Sequence, residues 1–220
     1  MAKIIWDKAG EKLFETGVSK GVLYPMSSPG VYGQGVPWNG LTNVTKSPSG
    51  AEPSAVYADN IKYLNLISPE ELEASIEAFT YPEEFGQCDG SAIVGPVDSG
   101  VEIGQQTRKQ FALCWQTKVG NDLDPDLGYK IHIMYGCYAG PSERSHDTVN
   151  DSPEAMTFSW DITTTPVEVT GFKPTASIVL DSTKVDPTKL AAIEDILYGT
   201  ESVESALMLP DAIITELNAS

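Results

Sequence analysis

The stretch that decides the fold is Glu-Leu-Glu-Ala-Ser-Ile-Glu-Ala at residues 71–78. Apolar and polar side chains alternate through it. Because successive residues of a β-strand point to opposite sides of a sheet, this alternation predicts a half-buried strand over residues 71–81. The side that faces a core carries Leu72, Ala74, Ile76 and Ala78. The other side carries a row of like charges, Glu71, Glu73 and Glu77.

Three later runs show the same alternation of apolar and polar residues, beginning at Phe111, Tyr129 and Met156. Shorter strands are expected at 167–170 and 176–180. The chain also holds 19 Gly and 15 Pro, residues that punctuate a chain with turns rather than extend helices. A chain of 220 residues is long enough for one large β-rich domain. The pattern therefore predicts a mainly β protein, a β-sandwich or barrel.

Helix signals are few. Asp186 is a good N-cap, Pro187 suits the first helical position, and Gly199 ends the apolar periodicity. These residues predict one helix that flanks the β-domain. A second, short helix is expected to begin at Pro210.

Residues 17–53 look different from the rest of the chain because Gly and Pro interrupt them too often for long regular elements. They carry Tyr24, Tyr32 and Trp38, and exposed aromatic side chains suit docking onto a partner. We therefore expect an extended N-terminal arm over 1–40. The alternative is that this segment folds back onto its own domain.

The remaining boundaries follow from the strand and turn signals. Residues 41–47 and 55–66 are strand-like and are separated by Pro-Ser-Gly-Ala-Glu-Pro, which predicts a long β-hairpin or extended loop. The β-domain is expected to cover 41–200. Residues 201–220 are expected to form a C-terminal arm with the short helix.

The net charge of −17 is unevenly distributed. Residues 1–60 are neutral, whereas 63–107 hold nine acidic side chains and no basic one. Specific binding to nucleic acid needs the opposite sign. The cysteines Cys88, Cys114 and Cys137 have no metal-binding spacing and are expected to be free thiols. We expect no secretion signal and no membrane span.

Signatures of catalysis and of cofactors are weak. Asp122, Asp124 and Asp126 have calcium-loop spacing, but Leu127 and Ile133 stand where an EF-hand needs Gly and Glu. No nucleophile elbow or phosphate loop is present in the sequence. The row of glutamates has the residue type of a glycosidase carboxylate pair, although such rows are common on solvated sheets. We therefore expect a non-enzymatic protein without metal or cofactor.

Several segments, in the same order along the chain, resemble the major tail proteins of siphophages, the bacteriophages with long non-contractile tails. The resemblance covers roughly residues 40–200. Its segments are 56–64, 80–85, 88–91, 103–111, 128–136, 149–160, 163–167 and 186–199.

The resemblance implies a structural role. On this resemblance, six copies are expected to form a ring, rings to stack into a hollow tail tube, and strands of all six copies to build an inner barrel. The implied partners are other copies of the chain, the tape-measure protein in the lumen, and the tail terminator and distal tail or initiator proteins at the ends. Genomic DNA is expected to pass through the tube without specific binding. The protein is expected in the host cytoplasm before assembly and in the virion afterwards.

Two groups of residues are assigned within this scheme. The acidic row Glu71, Glu73 and Glu77 is expected to face the lumen. Contacts between subunits and rings are expected from the arm and the hairpin, through Tyr24, Tyr32, Trp38, Tyr57, Asp59, Asn60 and Tyr63. The alternative function is that of a monomeric β-sandwich module that binds carbohydrate or a virion surface.

Overall fold

A computed structural model describes residues 4–95, 100–146, 148, 151 and 155–219. The strands are β1 (Phe14–Ser28), β2 (Val31–Tyr32), β3 (Val36–Trp38), β4 (Leu41–Gly50), β5 (Pro53–Ala58), β6 (Ile61–Ile67), β7 (Glu70–Ala78), β8 (Ala92–Ile93), β9 (Glu102–Ile103), β10 (Phe111–Gly120), β11 (Gly128–Ala139), β12 (Phe158–Thr164) and β13 (Ser177–Asp181). The helices are α1 (Gly86–Asp89), which follows a 3₁₀ turn at Glu83–Phe85, α2 (Pro187–Tyr198) and α3 (Pro210–Asn218).

One antiparallel sheet of nine strands dominates the fold, in the order β2-β1-β10-β11-β12-β7-β4. Strand β3 also pairs with β1, and β13 also pairs with β11. Strand β11 changes partner along its length: residues 130–134 pair with β13, whereas 137–139 pair with β12. Gly136 lies at the change with a φ of 57°, and a Cβ there would lie 2.2 Å from the Thr165 carbonyl oxygen. The absence of a side chain at Gly136 thus permits the strand to switch partners.

Both faces of the central strands are buried, which produces two apolar cores. The first core contains an aromatic cluster whose rings meet mostly edge to face: Trp38, Tyr81, Phe85, Phe111, Phe158 and Trp160. The second lies under α2 and α3 and contains Tyr24, Ile131, Ile133, Tyr135, Leu190, Ile193 and Leu197. The prediction of a mainly β, sandwich-like protein with a flanking helix is confirmed.

The predicted helix forms as its capping residues indicate. The Asp186 carboxylate accepts hydrogen bonds from the backbone N–H groups of Thr188 (2.9 Å) and Lys189 (3.2 Å). Helix α3 begins at Pro210 as predicted and buries Ile213. Residues before α3 are also tied to the domain, since the Tyr135 hydroxyl donates to the Met208 carbonyl (2.8 Å). The C-terminal segment therefore packs on the second core instead of extending as an arm.

The structure corrects the prediction of an extended arm over 1–40. Strand β1 pairs with β10 along most of its length, and Tyr24 and Trp38 are buried in the two cores. Gly17, one of the glycines that suggested irregular structure, lies at a bulge in β1 with a φ of 73°, and Lys20 lies at a second bulge with a φ of 49°. The alternative, in which the segment folds back onto its own domain, holds from residue 14 onward.

The hairpin also differs from its predicted pairing. Strand β4 pairs with β7, from Leu41 opposite Ala78 to Gly50 opposite Glu70. The predicted second strand, 55–66, instead folds on itself as β5 and β6. Asp59 and Asn60 form its tip, both with positive φ (50° and 65°), the backbone of a two-residue hairpin turn. The long hairpin is therefore a ribbon in two parts, β4–β7 at its base and β5–β6 at its end.

Candidate functional site

Strand β7 presents the predicted acidic row on its outer side. Ala74, Ile76 and Ala78 are buried in the first core, whereas Glu71 and Glu73 are exposed and Glu77 is half-buried. The predicted strand and its two faces are confirmed over residues 71–78, but the strand ends at Ala78 and not at the predicted residue 81. The orientation of the acidic side toward a lumen stays a prediction.

The neighbouring strands extend this acidic row into a polar face. Across from the outward residues of β7 lie small polar side chains, namely Asn43, Thr45, Ser47 and Ser49 on β4 and Ser159 and Thr163 on β12. Asp161 lies opposite Ser75 and adds a fourth carboxylate. No basic residue is among these register partners. We call Glu71, Glu73, Glu77 and Asp161, with their polar neighbours, the acidic face.

The lysine of β4 that is nearest in sequence to this face points to the other side. Lys46 lies opposite Ala74, and its Nζ sits 5.1 Å from the centre of the Trp115 ring. The acidic face is thus left uncompensated by the strands beside it.

The end of the ribbon, β5–β6, is exposed along both strands. Its large apolar side chains are uncovered: Tyr57 and Tyr63 are each 69% exposed, Ile67 68% and Ile61 65%. Antiparallel register places three pairs on one side, Ser54 with Leu66, Val56 with Leu64, and Ala58 with Ile61. That side is therefore almost wholly apolar, and the exposed Tyr57, which lies opposite Lys62, adds an aromatic ring to the other side. A two-stranded ribbon of this kind is at most marginally stable in water without a partner.

A sharp bend joins the two parts of the ribbon. Gly50 (φ 80°) and Ala51 (φ 55°) both have left-handed backbone conformations. A Cβ on Gly50 would lie 2.4 Å from the Pro69 carbonyl oxygen. The bend therefore requires glycine at residue 50 and sets the direction in which β5–β6 leaves the domain.

The residues predicted to make subunit contacts divide into two groups. Tyr57, Asp59, Asn60 and Tyr63 lie on the exposed hairpin. Tyr24 and Trp38 do not: the Tyr24 hydroxyl donates to the Leu197 carbonyl (2.5 Å), and Trp38 Nε1 donates to the Thr80 carbonyl (2.9 Å). Tyr32 is half-buried, and its hydroxyl oxygen accepts the Gly136 N–H (3.0 Å).

A different apolar segment of the N-terminus is exposed, and sequence reasoning missed it. Ile4, Ile5, Trp6 and Leu13 are 68%, 61%, 75% and 62% exposed. The apolar run Ile-Ile-Trp at 4–6, ahead of the first strand, could have indicated this exposed segment. The exposed N-terminal segment thus covers residues 4–13, ahead of β1.

A charged cluster lies at one end of the first core. Glu15 contacts Lys130 (2.6 Å) and His132 Nε2 (3.1 Å), and the His132 ring stacks on Trp115 with centroids 5.1 Å apart. Burial lowers the pKa of His132, the nearby charge of Lys46 lowers it further, and Glu15 offsets this only in part. Burial raises the pKa of Glu15, but hydrogen bonds from Lys130 and Thr117 outweigh it, so this pKa lies below its usual value.

The remaining candidate groups among the described residues are three thiols and carboxylates that could bind a metal ion. Within the described ranges, no three His, Cys, Asp or Glu side chains are arranged to hold a metal ion. Asp124 serves the turn of the supposed calcium loop, since its carboxylate accepts the Asp126 N–H (2.9 Å). The three cysteines are free and buried, and burial raises the pKa of Cys88 and Cys114 to about 12. Among the described residues, no helix is long and apolar enough to span a membrane.

Comparison with known proteins yields little. No protein-family model matches the chain, and no curated protein matches it. Among solved structures, the chain is similar to one from a cryo-EM structure of an extracellular contractile injection system, the PVC sheath–tube complex in its extended state. That match is 12% identical, covers 74% of this chain and 88% of the other, and has a TM-score of 0.31. The sequence identity and the TM-score of this match are both too low to assign a function.

Proposed function

We propose that the chain is a structural subunit that assembles with copies of itself into the tail tube of a siphophage. In this proposal six copies form each ring and stacked rings form the conduit for the genome, and the protein has no catalytic role. The observation that carries the proposal is the exposed apolar hairpin β5–β6. The resemblance of segments across residues 40–200 to siphophage major tail proteins adds the identity of the assembly.

The hairpin needs a partner for physical reasons. It projects apolar side chains on an otherwise solvated ribbon, and uncovered apolar patches of this kind are typical of interaction sites. Within the described part of the chain, its two strands pair only with each other, so the outer edge of each strand has no strand beside it. Pairing or burial of such edges protects a protein from disordered aggregation.

Charge favours a second copy of the chain as that partner. Residues 53–67 contain one acid, Asp59, and one base, Lys62, so the hairpin is neutral on a chain of net charge −17. A neutral element can approach another copy of the same acidic chain with little repulsion, whereas a strongly basic partner would be drawn to the acidic face instead. Contacts between unlike surfaces of identical copies can both close rings and propagate tubes.

The acidic face is the part of the surface that suits a conduit for DNA. We propose that Glu71, Glu73, Glu77 and Asp161 line the bore, where they repel phosphate and keep DNA from adhering. The tape-measure protein would occupy this bore during assembly, and terminator and initiator proteins would close the ends. Charge reversal of Glu73 and Glu77 to Lys should leave assembly intact and slow DNA ejection from phage; unchanged ejection kinetics would remove the lumen assignment.

Self-assembly is tested on the purified protein by sedimentation velocity and negative-stain microscopy. A variant with Tyr57→Ser and Tyr63→Ser should stay monomeric at concentrations where the wild type forms rings or tubes. Phe172→Ser is the matched control, because Phe172 is 73% exposed but lies outside the hairpin. The proposal fails if the wild type stays monomeric, and the role of the hairpin fails if the tyrosine variant assembles as well as the control.

The alternative of a carbohydrate-binding or glycosidase β-sandwich has less support. Sugar recognition on a sheet calls for aromatic side chains on one face. The register partners on the acidic face are Ser, Thr, Asn and Asp, with no aromatic residue among them. The carboxylates of this face also lie side by side on an exposed strand surface, whereas a glycosidase pair flanks the bond that it cleaves.

A further inference from the structure

The chain contains only two arginines, Arg108 and Arg144, and both line the same cavity of about 790 Å³. The walls come from the end of α1, the loop that leads into β10 and the segment after β11. Asp89 and Glu102 also line the cavity. In a protein with 31 acidic side chains, the meeting of both guanidinium groups in one place sets this cavity apart from the rest of the surface.

Arg144 is fully engaged by its surroundings. It forms an ion pair with Asp89, donates to the Tyr81 hydroxyl (3.2 Å) and lies over the ring of Phe158 (5.6 Å). The Asp89 side chain is only 8% exposed. Arg144 and Asp89 therefore neutralise each other and form a fixed wall of the cavity.

Arg108 lacks such partners. Its Nε is buried and has no hydrogen-bond acceptor, and within the described part of the chain no carboxylate lies within ion-pair distance of it. A buried donor without an acceptor is costly and rare in folded proteins. Because Arg108 Nε is packed against Gly90 and out of reach of a ligand, the missing partner is one for the half-exposed end of the guanidinium group, where Arg108 lines the cavity.

The backbone around Arg108 holds the group in place. Gln106 N–H donates to the Gly90 carbonyl (2.8 Å), and Lys109 N–H donates to the Gln87 carbonyl (2.9 Å). A Cβ on Gly90, whose φ is 84°, would lie 3.1 Å from Arg108 Cζ. The guanidinium group thus rests directly on Gly90, which leaves room for it.

The chemistry of the site suits a carboxylate. The planar guanidinium fork matches the two oxygens of a carboxylate or phosphate. Asp89 and Glu102 on the wall would repel a polyphosphate chain, whereas a single carboxylate could pair with Arg108 alone. We propose that this cavity binds a carboxylate and that in the assembled protein the ligand is an Asp or Glu side chain of a second copy. The second half of this proposal rests on the proposed self-assembly.

The carboxylate site is tested by NMR on the wild-type monomer. Because the chain has two arginines, the spectrum of arginine Nε–H groups contains two signals, and Arg108→Lys assigns them. Addition of sodium acetate should shift the Arg108 signal in a saturable manner, and sodium chloride at equal ionic strength should not. Absence of a saturable shift, or an equal shift with chloride, overturns the carboxylate site.

The source of the carboxylate is tested by self-association. Arg108→Gln should raise the concentration needed for assembly by about tenfold or more, as expected when one partner of a desolvated charge pair is removed. Lys109→Gln is the control, since it removes the same charge from the adjacent exposed residue. If both variants assemble alike while acetate binds, the ligand is a free carboxylate and the second half is overturned. If the wild type does not assemble, the proposed function fails, and the NMR result alone decides the site.

Discussion

Replacement of Tyr24 by Phe tests whether residues 14–40 belong to the folded domain. The Tyr24 hydroxyl is buried and donates to the carbonyl of Leu197, one of the last carbonyls of α2, which lack partners inside the helix. Phe keeps the ring in the second core and removes only the hydroxyl. The Leu197 carbonyl then loses its donor in a buried place, which costs about 1–3 kcal/mol of the free energy of unfolding.

The assay is equilibrium unfolding in urea at concentrations where sedimentation shows monomer. The midpoint should fall with an unchanged m-value, and the melting temperature should fall by about 2–4 °C per kcal/mol for a chain of this size. Tyr57→Phe is the control, because Tyr57 is 69% exposed and should change stability by less than about 0.5 kcal/mol. If Tyr24→Phe is as mild as this control, the placement of β1 against α2 is refuted.

Three further predictions concern the cores and the charged cluster. Trp38→Ala should destabilise the protein by about 3–5 kcal/mol in the same urea assay, because Trp38 is 2% exposed. A change below about 1 kcal/mol would contradict the burial of Trp38. Because the pKa of His132 is lower in the folded protein, the unfolded chain binds more protons below about pH 6.5, and stability should fall as the pH drops below that value. His132→Gln should flatten this dependence, and an unchanged slope would contradict the assignment. With thiol pKa values of about 12, Cys88 and Cys114 should resist iodoacetamide at about pH 8 in the native protein and react in urea; rapid labelling of the native protein would contradict their burial.

Features set by neighbouring residues were predictable from the sequence. Helix α2 follows from Asp186, Pro187 and Gly199, since an N-cap, a first-turn proline and a terminating glycine act within a few residues of the helix ends. The two faces of β7 follow in the same way, because alternation is local to the strand.

Features set by distant pairing were not predictable. Strand β1 is held by β10, about a hundred residues away, and Gly17 at its first bulge resembles loop punctuation when no partner is known. The burial of Tyr24 and Trp38 depends on that pairing.

The candidate surfaces were predictable to different degrees for the same reason. Glu71, Glu73 and Glu77 share one strand, so their common face was evident. Asp161 joins them only through the register of β12 with β7. Arg108 and Arg144 come from two loops that only the fold brings together.

The central claim is that the chain assembles with itself through its exposed hairpin. Negative-stain microscopy of the purified wild-type protein over a range of concentrations tests it most directly. The Tyr57→Ser and Tyr63→Ser double variant is imaged on separate grids at the same concentrations. The account predicts rings or tubes of uniform bore for the wild type and isolated particles for the variant. A wild-type protein that remains strictly monomeric at the highest concentration would contradict it.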